Sequence, residues 1–422
     1  MNEAVRLPVV VLCQVFHPDT QSTSQLLSDV LARLSEIGHP LKVVSGYTGL
    51  GAENGQLPSV EVWRGIEIRR VGFRASVKKN LILRAMTYLG YTGGVNWQLL
   101  RVPRGSRILV VTNPPFLPVL VWLVCSLRGF RFKVMLQDIY PDGLIAVGRL
   151  RADGVMNRAW RALNRRAFSA ASEIWVLGRD MKQLVREKYG IPRQKVRYVP
   201  HWSVVAAHTT KIPEQTELWA ALELKGKFVV QYSGNMGLWH DLETIVRAAK
   251  LVEGHSAIQF LLIGQGMRKP AAEQLSRDIG ATNIHWLPYQ NRNDLEDSLA
   301  CCHVALISQR AGLEGVAVPC KLYGILASGR AVVAQVPARS EVALVVGEEN
   351  CGRVVAPGDA EALARCILEL SAAREETARM GSRAHAAYLQ KYTLESGARA
   401  FEKGFSDWAP MERERALRRP DA

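Results

Sequence analysis

GLEGVAVPCKLYGILASGRAVVA, residues 312–334, is the stretch around which the chain is organised. It reads as an acidic loop bearing Gly312, Glu314 and Gly315, then a Pro319-Cys320-Lys321 step into a short helix with Leu322, Ile325 and Leu326 on one face. Gly329 stops that helix, and a buried strand follows at residues 331–336. The pattern is one strand-loop-helix-strand unit of a parallel sheet. A helix start of this type offers unpaired N–H groups and the positive end of a dipole, and Lys321 adds an ammonium to the same space. That combination suits a phosphate or diphosphate. On its own the stretch reads equally as an ordinary connection with a solvated lysine.

The chain has 422 residues, long enough for two cored domains. With 48% hydrophobic and 22% charged residues it is globular. Seven cysteines, at positions 13, 125, 301, 302, 320, 351 and 366, form no C-x-x-C pair. An odd number without ligand spacing points to neither a zinc cage nor a disulfide framework, so a reducing cytoplasm is expected. The opening MNEAVRLPVVVLCQ is too short in its apolar run for a signal core and reads as a first strand. No uninterrupted apolar stretch reaches membrane-spanning length. A soluble or peripheral protein is expected, and the net charge of +15 calls for an anionic partner: nucleic acid, an anionic membrane face or a phosphate-bearing substrate.

From the N-terminus, an apolar strand at residues 8–14 leads through Phe16-His17-Pro18-Asp19 to a helix at 24–37 with Leu27, Val30, Leu31 and Leu34 in register. A strand at 41–44 completes a βαβ opening. His17 and Asp19 therefore lie at the carboxyl end of the first strand, where doubly wound folds take ligands. A hairpin at 60–63 and 66–71 adds an edge. Residues 78–104 mix Lys78, Lys79, Arg84, Arg101 and Arg104 with aromatic and aliphatic residues. They read either as a segment lying in a lipid headgroup layer or as core helices with charged outer faces. The apolar run at 116–127 reads as a buried helix. The strand at 132–137 ends at Asp138, the candidate polar site residue of the first half, though a carboxylate in a loop also serves as a cap or turn former.

Residues 200–225 lack periodicity and mark a boundary. The expected domains are 1–205 and 206–394, with a helix at 395–412 returning to the first domain and a basic tail at 413–422. In the second half, strands end in Ser233-Gly234-Asn235-Met236-Gly237, Gly264-Gln265-Gly266 and Pro288-Tyr289-Gln290 before the opening stretch is reached. Small or glycine-rich turns repeated along one sheet edge suggest a nucleotide site more strongly than any one turn does.

VQYSGNMG with HDLETIVRAA, FLLIGQG, NIHWLPYQNRNDLEDSLACCHVALI and VPCKLYGILASGRAVVA resemble the donor half of family 4 glycosyltransferases with the GT-B fold. FHPD, IGHPLKVVSG, QDIYPDG and AASEIWVLGRDM resemble the family's acceptor domain. The likeness covers nearly the whole chain and is greatest to the subgroup that builds bacterial exopolysaccharide, capsule and O-antigen. The resemblance implies an α/β fold of two Rossmann-like domains facing across a cleft. It implies a retaining, hexosyltransferase-like activity on a nucleotide-diphosphate sugar, with a polyprenyl-diphosphate-linked or saccharide acceptor. The residues it carries over for the donor are Gly234, Asn235, His240, Gly264, Gly266, Pro288, Tyr289, Gly315 and Leu322. Lys321 is implied for the diphosphate, Glu314 for the sugar, Asp138 as a catalytic neighbour, and His17 and Asp19 for the acceptor side. Gln137 stands where many relatives carry a catalytic histidine. Gly324 stands where many carry a second glutamate, and the basic residue usual after the 234–237 turn is absent, with His240 nearby.

No cofactor and no metal are expected, since the chain has no Asp-x-Asp pair and no His/Cys cluster at ligand spacing. No nucleic-acid motif accompanies the positive charge. The expected place is the cytoplasmic side of the plasma membrane, docked peripherally on anionic lipid. A nucleotide-sugar epimerase or a non-catalytic nucleotide-sugar-binding protein of the same fold is the alternative.

Overall fold

A computed structural model describes residues 8–47, 57–73, 81–205 and 210–408. Lys78 and Lys79, residues 206–209 of the boundary segment, and the tail from 409 onward lie outside the described residues.

The first sheet is built from β1 (Val9–Leu12), β2 (Leu41–Ser45), β3 (Val60–Trp63), β4 (Ile66–Arg70), β5 (Arg107–Val111), β6 (Phe132–Met135), β7 (Glu173–Val176) and β8 (Val196–Tyr198). Their order is β3-β4-β2-β1-β5-β6-β7-β8, parallel except for the antiparallel β3–β4 hairpin. The second sheet contains β9 (Phe228–Ser233), β10 (Ile258–Ile263), β11 (Ile284–Leu287), β12 (Val304–Ser308), β13 (Ala331–Gln335) and β14 (Gly352–Val355). It runs β11-β10-β9-β12-β13-β14, all parallel. β1, β6, β7, β12 and β13 are buried at every residue, as strands covered by helices on both faces must be. In each sheet the order reverses at one place, between β1 and β5 and between β9 and β12. The crevices outside those carboxyl ends are where such sheets accept ligands.

The chain crosses between the domains twice, and the crossings touch: Ser203 N donates to Tyr392 O at 3.1 Å. After the second crossing the helix Leu394–Ser406 packs on the first sheet. Phe401 lies 4.9 Å from the Trp175 ring, and Gly404 O accepts from the buried Lys133 Nζ at 2.8 Å. The same ammonium pairs with Glu173 at 2.8 Å, so neither charge is buried without a partner.

The apolar run at 116–127 is the helix Leu117–Arg128, but it is buried on one side only. Leu117, Val121 and Cys125 enter the core while Leu123 and Leu127 are 47% and 87% exposed. A helix lying on a sheet hides a single stripe, so one that is apolar all round must show the rest. The preceding segment forms one helix, Leu81–Arg101, with one face in the core and apolar side chains on the other. Tyr91, Val95 and Leu99 are core, with the Tyr91 hydroxyl donating to Val44 O at 3.1 Å, whereas Met86, Leu89 and Trp97 face outward.

Candidate functional site

Three turns of the second sheet stack to form a cradle. Gly234 N donates to Ile263 O at 2.9 Å, Met236 N to Gln265 O at 2.9 Å, and Gly264 N to Leu287 O at 3.0 Å. Gly264 has φ +137°, and a Cβ there would overlap the Gly234 carbonyl, so main chain lies directly on main chain. Gly266 rests on the Met236 backbone in the same way. The buried Lys269 ties the turns from behind, its Nζ donating to Gly264 O at 3.0 Å and Leu287 O at 3.2 Å. Pro288 and Tyr289 continue the wall after β11, with the half-exposed Tyr289 donating its hydroxyl to Gln265 O at 3.3 Å.

Lys321 lies along this cradle. Its Nζ is 3.2 Å from Asn235 O, a carbonyl that also accepts from the Tyr232 hydroxyl at 2.7 Å, and 5.0 Å from the Tyr232 ring centroid. A Cβ on Gly234 would come within 2.8 Å of Nζ, so the glycine makes room for the lysine. Among the described residues no carboxylate pairs with Lys321. Burial pulls its ammonium down to about 8. A partly buried cation beside a glycine turn, with no counter-ion among the described residues, is matched to an incoming anion. The helix it begins, Lys321–Ala327, is only seven residues, so of the three features named from the sequence, N–H groups, dipole and ammonium, the dipole is short.

His240 supplies an acceptor and not a charge. Its Nδ1 lies 2.8 Å from Ser308 O and must donate, which leaves Nε2 with a lone pair. Burial, reinforced by Lys321, holds the imidazole down to about 3, so it is neutral at physiological pH. The Leu322 side chain is wholly inside the second core, which leaves only its main chain to face a ligand. Glu314 is half-buried with no side-chain partner among the described residues.

On the first domain Asp138 forms an antiparallel bridge with Ala317, and Ile139 N donates to Val316 O at 2.8 Å. The Glu314 loop is thereby laid against the carboxyl end of β6. Burial pushes the Asp138 carboxyl up to about 6, and no side chain among the described residues bonds to it. Asp138 and the Glu314 loop are thus brought together across the cleft. His17 and Asp19 stand apart from them at the end of β1. The His17 ring stacks on Trp63 at 4.2 Å, and its carbonyl accepts from Arg70 at 2.8 Å. Burial lowers its imidazole below the usual range. The Asp19 carboxylate is occupied by Gln21, accepting from N at 2.8 Å and Nε2 at 3.2 Å, which is the work of a turn former.

Sequence reasoning missed Trp239, Arg310, Asp180 and Glu341. Trp239 crosses the cleft and lies on Gly143 of the first domain, where any Cβ would overlap its ring. It also meets Tyr140 edge-on at 6.1 Å. Arg310 follows β12 at the reversal point, with no side-chain partner among the described residues. A bulky aromatic next to the 234–237 turn, and an arginine one turn beyond a buried strand, were the available signals. For Asp180 and Glu341 there was none, because their partners are 135 and 162 residues away.

Comparisons with known proteins follow the two sheets. The model of the glycosyl transferases group 1 matches residues 227–373, and that of the glycosyl transferase 4-like domain matches residues 24–202. The probable glycosyltransferase WbjE of Pseudomonas aeruginosa is 30% identical over 274 residues, 64% of this chain and 67% of that protein. The putative colanic acid biosynthesis glycosyl transferase WcaI of Escherichia coli is 27% identical over 241 residues, 56% of this chain and 59% of the relative. Among solved structures, HepE of Anabaena in complex with UDP and glucose superposes with a TM-score of 0.71 at 15% identity, covering 95% of this chain and 99% of that one. At that identity the likeness speaks for the fold alone.

Proposed function

Because the chain belongs to the family 4, group 1 glycosyltransferases with the GT-B fold, we propose that it moves a sugar from a nucleotide-diphosphate sugar to a lipid-linked or saccharide acceptor in cell-surface polysaccharide assembly. The observation that carries this reading is Lys321, a cation with no carboxylate partner among the described residues, packed against the Gly234 turn at the reversal point of the second sheet. The colanic acid in the name of WcaI supports polysaccharide assembly as the setting. The UDP and glucose in HepE support uridine as the base.

In the proposed reaction the acceptor hydroxyl attacks the anomeric carbon from the side of the leaving group. The bond from that carbon to the diphosphate oxygen breaks, and the hydroxyl proton passes to the departing diphosphate. Configuration is retained and no carboxylate pair is needed. The charge growing on the diphosphate is met by Lys321 and main-chain N–H groups already in place, so no metal is called for. Asp138 and Glu314 border the sugar and acceptor side of the same space.

We place the acceptor at an anionic membrane surface. Three helices that pack side by side on the first domain, Leu81–Arg101, Leu117–Arg128 and Val155–Ala170, turn exposed Leu89, Trp97, Leu123, Leu127 and Met156 outward. Exposed Arg101, Arg158, Arg165 and Arg166 lie on the first and third of them. Apolar side chains fringed by arginine suit a headgroup layer. No helix among the described residues is long and apolar enough to cross a membrane.

The test is incorporation of label from a panel of nucleotide sugars into a polyprenyl-diphosphate-linked saccharide, with and without EDTA. Transfer from one donor, unaffected by EDTA, is expected. Saturable nucleotide binding with no transfer to any acceptor would replace the reading with a binding protein. For the membrane surface, sedimentation with anionic liposomes at low salt should fall at least tenfold in Leu123→Glu/Leu127→Glu; unchanged sedimentation removes that surface.

A further inference from the structure

Two helices from different domains meet at their N-termini, and the first N–H of each donates to an acidic side chain of the other. Helix Arg179–Tyr189 of the first domain begins after Gly178, which has no side chain to cap it. Its first N–H, on Arg179, donates to Glu341 Oε2 at 2.6 Å. Glu341 is the first residue of helix Glu341–Glu348 in the second domain, and its carboxylate is fully buried. The same carboxylate accepts from the Tyr198 hydroxyl at 2.7 Å and lies 3.1 Å from Arg179 Nε. In return, Asp180 Oδ2 accepts from Glu341 N at 3.1 Å. Each carboxylate thus satisfies donors that a helix start leaves open, across a domain boundary.

Asp180 Oδ2 also accepts from Gly315 N at 3.0 Å. Gly315 adjoins Glu314, and the two residues after it are the ones that meet Ile139 and Asp138. Its α-carbon packs so closely on the Asp180 carbonyl that a Cβ would lie 2.7 Å from that oxygen. The resemblance to known enzymes assigns Gly315 to the donor, yet its N–H is spent on the other domain.

We propose that Asp180 is a positioning residue: from the first domain it fixes the Glu314 loop of the second, so that the donor site is complete only when the two domains are docked. This rests on the donor reading of that loop given above. Asp180 itself touches no substrate. Without its carboxylate the loop has to be ordered at the expense of nucleotide binding, which weakens affinity while leaving the chemistry of bound donor largely intact.

The experiment compares Asp180→Ala, Asp180→Asn and Arg292→Ala in the full chain. Arg292 joins the domains through an exposed ion pair with Asp29 at 2.9 Å and does not touch the loop. Amide hydrogen exchange is read over residues 312–319, and UDP affinity by calorimetry. Asp180→Ala is expected to speed exchange of those amides and weaken UDP about tenfold. Asp180→Asn, which keeps one acceptor oxygen, should recover part of both, and Arg292→Ala neither. Unchanged exchange and affinity in Asp180→Ala overturn the proposal. So does an equal loss in Arg292→Ala, which would make Asp180 ordinary domain glue. Wild-type protein that binds no UDP while Asp180→Ala still loosens the loop would sink the donor reading and leave the clamp standing.

Discussion

The two sheets have the same plan and opposite chemistry at their open edges. At the reversal point of the second, the turns after β9 and β10 pack main chain on main chain at Gly264 and Gly266, and a cation with no counter-ion among the described residues is laid along them. At the corresponding edge of the first, His17 and Asp19 are tied up in local bonds, and the group left uncompensated is a carboxylate, Asp138, two strands away. The contrast teaches where each half pays in stability for function. Lys321 and Asp138 are both driven toward their neutral forms by burial, one from each side of the cleft. An anion entering beside Lys321 relieves the first. Nothing among the described residues of the first domain relieves the second.

The largest break in that contrast is Lys321→Ala. Transfer should fall by about 10²–10³ in rate, the usual cost of losing one preorganised charge at a leaving group. The melting temperature should hardly move, since the lysine gives the fold a single main-chain bond. Full turnover by the variant would mean that the cation is not the diphosphate's partner. Next comes Gly264→Ala, which must force the β9 and β10 turns apart. A loss of roughly 2–3 kcal/mol in stability and of detectable nucleotide binding is expected, measured by urea unfolding and calorimetry.

Asp138→Asn is smaller in rate and sharper as a test. Between its unfolded and folded pKa values, about 4 and about 6, ionisation of Asp138 opposes folding, because the folded chain holds the proton more tightly. The cost is absent below pH 4 and complete above pH 6. The amide should therefore gain about 1–2 kcal/mol at pH 7.5 and nothing at pH 4, while transfer drops some ten- to a hundredfold. The wild-type profile of kcat/KM should rise through about 6 as Asp138 ionises and fall above about 8 as Lys321 loses its proton. Only the acid limb should vanish in the variant. The smallest effect is expected for His17→Leu, which gives up a ring stack worth roughly 0.5–1.5 kcal/mol and should change transfer less than tenfold. If it abolished transfer, the first sheet's chemistry would lie at β1 and not at β6.

Much of the frame is legible in the chain. Short branched-aliphatic runs closed by glycine or small polar turns mark β9, β10 and β12 because parallel strands buried on both faces tolerate little else. The stacking of Gly234, Gly264 and Gly266 follows from the same turns. Their meaning was readable as a repeated pattern, although each φ and each contact was not. Three readings needed the fold. Leu322 sits on the helix face that enters the core. Asp19 spends its oxygens on Gln21. The apolar run at 116–127 hides only one stripe, since a sequence window reports how greasy a helix is and not how much of it a neighbour will cover.

By itself, then, the amino-acid sequence determined the two doubly wound units, the glycine turns that end β9 and β10, and a lysine at the start of a short helix. These depend on residues near one another in the chain, and local periodicity and turn chemistry express them directly. Only the tertiary structure decided that Asp138 meets the Glu314 loop, that Trp239 lies on Gly143, and that Asp180 and Glu341 each accept from the first N–H of the other's helix. Those contacts join residues more than 90 positions apart. They exist because two separately folded sheets bring their loop edges face to face, and no local pattern in a single sequence encodes which side chains will then find each other.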